Sequence, residues 1–260
     1  GTIAAEGAVG GIIRTTWFGG ASSTFEAIRP ATSLIVPLVA YDVYSHTSIL
    51  YIQNLEPKPT KNPLLFELFD TDGSILESWT FNLKDKEALS EDMYFSRLFY
   101  EPRLPKNAAG GFLGAFSVTA RDPVAIMIYG DEPIGTGAYA LSAQPRSAAN
   151  RSQYLPLIRA NSAGDSLIQV MNGDFRPADV TITYRGHPAS PSGAGQTFTQ
   201  SFRLAGNNPA NIDLGTRGRG NVDGPPNLPR GTAPDEGFLG SATISASAPV
   251  LASVWEQYIE

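Results

Sequence analysis

The chain has no cysteine and only two histidines in 260 residues. The first absence removes thiol catalysis, cysteine-based zinc sites and disulfide staples; the second leaves too few imidazoles for a histidine-rich metal site. No apolar run reaches the roughly 18 residues of a membrane-spanning helix. Residues 1–30 do not carry the basic-then-apolar pattern of a secretory leader. Periodic stretches without glycine or proline are short, and 26 Gly and 20 Pro punctuate the chain. That density disfavours a helical bundle and suits many short strands joined by turns. Lysine is scarce as well. All five (Lys58, Lys61, Lys84, Lys86, Lys106) lie in the first half.

What is present is a 42% apolar chain, rich enough to fill a core, with a net charge of −6. Residues 31–144 hold 8 Lys+Arg and 14 Asp+Glu, whereas residues 145–260 hold 9 of each. An acidic half followed by a neutral one lacks the basic face that nucleic acid or an anionic membrane rewards.

The chain repeats itself. Ile35-Val36-Pro37-Leu38-Val39 returns as Tyr154-Leu155-Pro156-Leu157-Ile158, and Ser48-Ile49-Leu50-Tyr51-Ile52-Gln53-Asn54 as Ser166-Leu167-Ile168-Gln169-Val170-Met171-Asn172. Ser78-Trp79-Thr80-Phe81-Asn82-Leu83 resembles Thr199-Gln200-Ser201-Phe202-Arg203-Leu204. Leu104-Pro105 recurs as Leu228-Pro229, Gly111-Phe112-Leu113-Gly114 as Gly237-Phe238-Leu239-Gly240, and Pro123-Val124 as Pro249-Val250. The offsets run 119, 118, 121, 124 and 126, the slow drift that loop insertions produce.

Within the blocks, apolar residues two apart share a face: Leu50 with Ile52, Phe112 with Phe116 and Val118, Val124 with Ile126 and Ile128, and their counterparts. Asn54 and Asn172 fall on that apolar parity, which predicts amides that tie down the backbone of the following loop. Asp70-Thr71-Asp72-Gly73 between two apolar runs predicts a hairpin turn. Residues 145–152 are small, polar and twice basic, and read as a linker between repeats.

The order of blocks resembles the tandem Ig-like β-sandwich modules of bacterial surface and secreted proteins, over residues 33–142 and 153–258. The resemblance implies an all-β chain of two antiparallel sandwiches: an extended N-terminal segment over 1–30, a first domain over 31–144, a linker over 145–152 and a second domain over 153–260. It implies an extracellular or cell-surface location and supplies no catalytic residues to carry over.

Chemistry has few candidates. Gly164-Asp165-Ser166-Leu167 spells the motif of the GDSL esterases, but no Asp-x-x-His follows and His187 is the only later histidine. A serine without a base is not activated, so a turn entering a strand is the expected role, and Ser166→Ala should leave any activity intact. His46 and His187 have no ligand pattern around them. Asp70-Thr71-Asp72-Gly73 opens like a calcium loop but lacks the closing glutamate and flanking helices. Arg217-Gly218-Arg219-Gly220 is one short basic string in a neutral half, and Asn150-Arg151-Ser152 is a glycosylation sequon in the linker. The sequence therefore assigns no catalytic, cofactor or metal residues and no cofactor.

Two regions fit no repeat. Met93, Tyr94, Phe95, Leu98, Phe99 and Tyr100 crowd a connection that the second copy fills with polar residues; they cap the first sandwich or meet another subunit. Residues 1–30 have no repeat and no evident hairpin partner, yet hold Thr2, Ile3, Val9, Ile12, Ile13, Trp17 and Phe18. Such a tail must pair in its own fold or in a neighbour's. With Tyr94, Phe95, Phe99 and Tyr100, these residues are the expected subunit interface. The expected function is a structural subunit of a surface filament, sheath or layer, a head-to-tail homopolymer assembled by β-strand addition. The alternative is an adhesin or carbohydrate-binding module with a surface glycan as partner.

Overall fold

A computed structural model describes residues 12–16, 22–26, 30–41, 47–54, 63–84, 88–91, 104, 111–131, 138–161, 164–215, 220–231 and 236–258. Over these the chain is all-β. The strands are β1 (Ile12–Thr16), β2 (Ser22–Glu26), β3 (Ala31–Tyr41), β4 (Thr47–Asn54), β5 (Leu64–Phe69), β6 (Ile75–Phe81), β7 (Ala88–Glu91), β8 (Phe112–Asp131), β9 (Ala138–Ser142), β10 (Gln144–Pro145), β11 (Asn150–Asn161), β12 (Gly164–Asn172), β13 (Ala178–Gly186), β14 (Thr197–Leu204), β15 (Pro209–Asp213), β16 (Val222–Asp223) and β17 (Gly237–Tyr258). One 3-10 turn, Arg146–Ala148, is the only helical element among the described residues.

Two multi-stranded sheets result, of eight and seven strands. Each is organised on one long strand that changes partners midway. β8 pairs β3 and β5 through its first half and β4 and β9 through its second. β17 pairs β11 and β13 through its first half and β12 through its second. A strand of 20 or 22 residues that switches partners folds the ribbon over a core, giving a sandwich-like arrangement.

The registers of the two sheets coincide at the offsets read from the sequence. Val36 opposes Phe116 and Val39 opposes Gly114; Leu155 opposes Ala242 and Ile158 opposes Gly240. Both ladders slip at the same place, around Pro37 and Pro156. Proline has no N–H to give the ladder, so a bulge is where a mid-strand proline fits. Asn54 opposes Val124 as Asn172 opposes Val250. Phe66 lies between Trp79 and Val118, and Ile182 between Gln200 and Ile244.

The shared Gly-Phe-Leu-Gly string has a packing reason. A Cβ on Gly114 would lie 2.3 Å from the Phe69 carbonyl oxygen and 2.4 Å from Phe112 Cζ. On Gly240 it would lie 2.2 Å from the Arg185 carbonyl oxygen and 2.6 Å from Phe238 Cζ. In each sheet the phenylalanine ring lies across a glycine against which the neighbouring strand packs.

The halves are fused through a buried seam. Leu34, Val36, Phe66, Leu68, Phe116 and Val118 fill one core, and Ile168, Val170, Ile182, Tyr184, Ile244 and Val250 another. Residues of opposite parity on these strands (Ile35, Phe69, Ala115, Met171 and Leu251) form a third cluster between the sheets. Leu167 and Trp255 of the second sheet join the first core. This is why β12 is buried at all nine positions. The one-face alternation expected for half-exposed strands holds where the outer face is open, as in β13 and residues 242–247 of β17, and is lost in β12 and over residues 34–40 of β3, which are covered on both sides.

Residues 145–152, read as the linker, hold regular structure: β10 pairs β3, the 3-10 turn follows, and β11 starts at Asn150. Arg146 pins this passage, donating from Nη1 to the Gly173 carbonyl at 2.6 Å and to Asn207 Oδ1 at 3.2 Å, with its guanidinium 5.8 Å from the Phe175 ring centroid. Residues 1–30 do contain a hairpin, for β1 pairs β2 from Ile12–Glu26 to Thr16–Ser22. β2 runs beside β9.

Candidate functional site

Each sequence candidate has a place in this scaffold. Ser166 is fully buried, and its Oγ accepts the Arg159 N–H at 2.8 Å. Ser48 Oγ accepts the Ala40 N–H at the same distance. The serine of the Gly-Asp-Ser-Leu string is thus a repeat position that closes the gap between consecutive strands. His187 is exposed after β13, and its Nδ1 accepts the Ala189 N–H at 3.0 Å.

Asn172 Nδ2 donates to the carbonyls of Arg176 (2.6 Å) and Ala205 (2.9 Å), while its Oδ1 accepts the Asp174 N–H at 3.0 Å. Asn54 Nδ2 donates to the Lys84 carbonyl at 3.0 Å, the repeat equivalent of Ala205. Asn172 thus ties the loop that follows it, as the sequence led one to expect. The bond both copies share reaches instead to the end of the hairpin.

The carboxylates of the 70–73 turn serve its own amides. Asp70 Oδ1 accepts the Thr71 N–H at 2.6 Å and Asp72 Oδ1 the Ser74 N–H at 2.8 Å. The Ser74 bonds hold the Asp72 carboxyl below the usual aspartate range. Gly73 takes a φ of 84° and its N–H donates to the Asp70 carbonyl at 3.0 Å, so this is the expected hairpin turn. Asn221 Nδ2 reaches the Thr71 carbonyl at 3.4 Å, so the turn also rests on the second half. Among the described residues no group of three or more His, Asp or Glu side chains is placed to hold a metal.

Of the expected interface residues, Ile12 and Ile13 lie in β1. Thr2, Ile3, Val9, Trp17, Phe18, Tyr94, Phe95, Phe99 and Tyr100 lie outside the described residues, as do His46 and Arg217-Gly218-Arg219.

Two features of the second half were not foreseen. The first is the outer face of the β14–β13–β17–β11 sheet. Ser201, Thr181, Ser245 and Ser152 form one transverse row, and Thr199, Thr183, Thr243 and Tyr154 the next. Thr181 Oγ1 and Ser201 Oγ are 2.9 Å apart, and Tyr154 is 76% exposed. The matching face of the first half carries Ile35, Phe69 and Ala115, which are buried in the seam, where the second half has Tyr154, Arg185 and Ser241. The signal was in the sequence as the Ile35/Tyr154 difference within the first block.

The second feature is an open edge. The Leu214 N–H donates to the Ser166 carbonyl and the Asn172 N–H to the Asn208 carbonyl, both at 3.1 Å. The backbone groups of Ser166, Ile168, Val170 and Asn172 therefore point toward β15. Those of their partners Glu256, Val254, Ala252 and Val250 point away from β12. Side-chain amides meet two of them: Gln153 Nε2 donates to the Val250 carbonyl at 3.0 Å and Gln144 Nε2 to that of Ala252 at 3.4 Å. Among the described residues no strand pairs with this side over residues 252–258. In the first sheet the same side of β8 pairs β9, continued by the Ala143 N–H donating to the Ile126 carbonyl at 3.0 Å. Neither a family model nor a curated protein matches this chain.

Proposed function

We propose that the chain is an extracellular structural protein: two Ig-like sandwiches in tandem, over 31–144 and 153–260, forming one rigid subunit of a bacterial surface filament, sheath or layer that assembles with itself by β-strand addition. The observation that carries this reading is the β17 edge that no strand pairs among the described residues, in a chain whose halves otherwise pair in one register. The buried seam supports it, because a subunit joined through an apolar layer transmits load without hinging. So does the use of the candidate serine and of the turn aspartates in scaffold bonds, which leaves them no chemistry to perform. In this reading the protein is not an enzyme. Electron microscopy of the concentrated protein tests it: regular one-dimensional or sheet-like assemblies are expected, and dispersed single particles under all conditions would contradict it.

The hydroxyl rows beside exposed Tyr154 favour a second reading, an adhesin that binds a neutral glycan on that face. An aromatic platform with flanking hydroxyls offers a sugar ring both stacking and hydrogen bonds. Retardation of the protein in polysaccharide gels, lost with Tyr154→Ala, would support this reading over the first.

A further inference from the structure

We infer that the β17 edge over residues 252–258 is the acceptor for an added strand, and that its occupant is the N-terminal hairpin of a second copy, paired through the side of β1 away from β2. This rests on the self-assembly reading and names the two surfaces that meet. The acceptor is judged against the chain's own first half. There β9 covers the edge, and Ile126 and Ile128 are 0% exposed. At the equivalent positions Ala252 and Val254 remain only partly buried, beside a fully buried Val250. Without a β9 counterpart the second core is left ajar along its edge, and Val254 and Glu256 offer backbone groups with no strand partner among the described residues. An added antiparallel strand would lay one face toward Ala252 and Val254 and the other toward Leu251 and Trp255.

The donor follows from the same layer. β2 lies beside β9, so the hairpin borders the strand for which the second half shows no counterpart among the described residues. Among the described residues β1 pairs only β2. Its sequence, Ile12-Ile13-Arg14-Thr15-Thr16, has the β-branched residues an added strand needs. Donor and acceptor are different segments, so the contact is one-way and builds a head-to-tail chain wherever its rotation does not close into a ring.

Because the protein has no cysteine, introduced thiols are the only ones present. A copy carrying Ser253→Cys is mixed with copies carrying Ile13→Cys, Arg14→Cys or Thr15→Cys and oxidised. The inference expects a disulfide-linked heterodimer with at least one register and none with Thr199→Cys on the hydroxyl face. Separately, Val254→Pro removes an outward N–H that β12 does not use, and proline is tolerated on such an edge. This variant should keep its thermal midpoint within a few degrees and associate at least about fivefold more weakly, through the lost bond and the ring's obstruction. If the protein assembles but no β1 thiol links to Ser253→Cys, or Val254→Pro assembles undiminished, the inference falls while self-assembly stands. If the parent chain does not assemble at all, both fall.

Discussion

Ser166 Oγ accepts the backbone N–H of Arg159 at 2.8 Å, and the bond is repeated 118 and 119 residues earlier between Ser48 and Ala40. Truncating either serine leaves an N–H at the strand connection without its acceptor. Ser166→Ala and Ser48→Ala should each cost about 1–3 kcal/mol in chemical denaturation. Neither should change the rate at which the protein hydrolyses a test ester. An ester-hydrolysing activity abolished by Ser166→Ala at unchanged stability would restore the catalytic reading.

The seam predicts how the molecule unfolds. Leu251 is fully buried between the sheets with Met171, Ile35, Phe69 and Ala115. The parent chain should therefore melt in one calorimetric transition. Leu251→Asp places a charge in that layer at a cost of about 3 kcal/mol or more. It should split the transition in two as the halves lose their coupling. Two transitions in the parent chain would show that the seam does not couple them.

Alkaline pH gives a separate handle. Tyr184 is fully buried, and burial pushes its phenol well above the ordinary value near 10. Its hydroxyl donates to Gln200 Oε1 at 2.9 Å, where the first half has Trp79 stacked on Phe66 instead. The folded state thus holds this proton more tightly than the unfolded state. The stability it confers is complete below about pH 10 and is lost as pH rises above that toward the folded value. Tyr184→Phe should cost about 1 kcal/mol at pH 7 and flatten the decline in stability above pH 10. Parallel declines in parent and variant would contradict the account.

Much of the fold was legible because the repeat preserves backbone needs. Pro37 and Pro156 mark bulges, Gly114 and Gly240 accept a ring, and Asn54 and Asn172 hold backbone carbonyls. Their spacing matched the two copies block for block. The correspondence of β5 with β13 was hidden, because Leu64-Leu65-Phe66-Glu67 and Val180-Thr181-Ile182-Thr183 share only their inward apolar positions. The seam was hidden for a related reason. Ile35, Phe69 and Leu251 sit on the parity that a single sandwich turns to solvent, and only the docking of the halves buries them. The β17 edge could not be read at all, since it is defined by a β9 counterpart that is missing among the described residues of the second copy.

The most direct measurement is sedimentation of the full chain and of the chain lacking residues 1–30, over a wide concentration range. The account predicts that the full chain grows beyond its 27.7 kDa monomer as concentration rises, while the truncated chain stays folded and monomeric. A full-length chain that remains a single monomer throughout, or a truncated chain that assembles as readily as the parent, would contradict it.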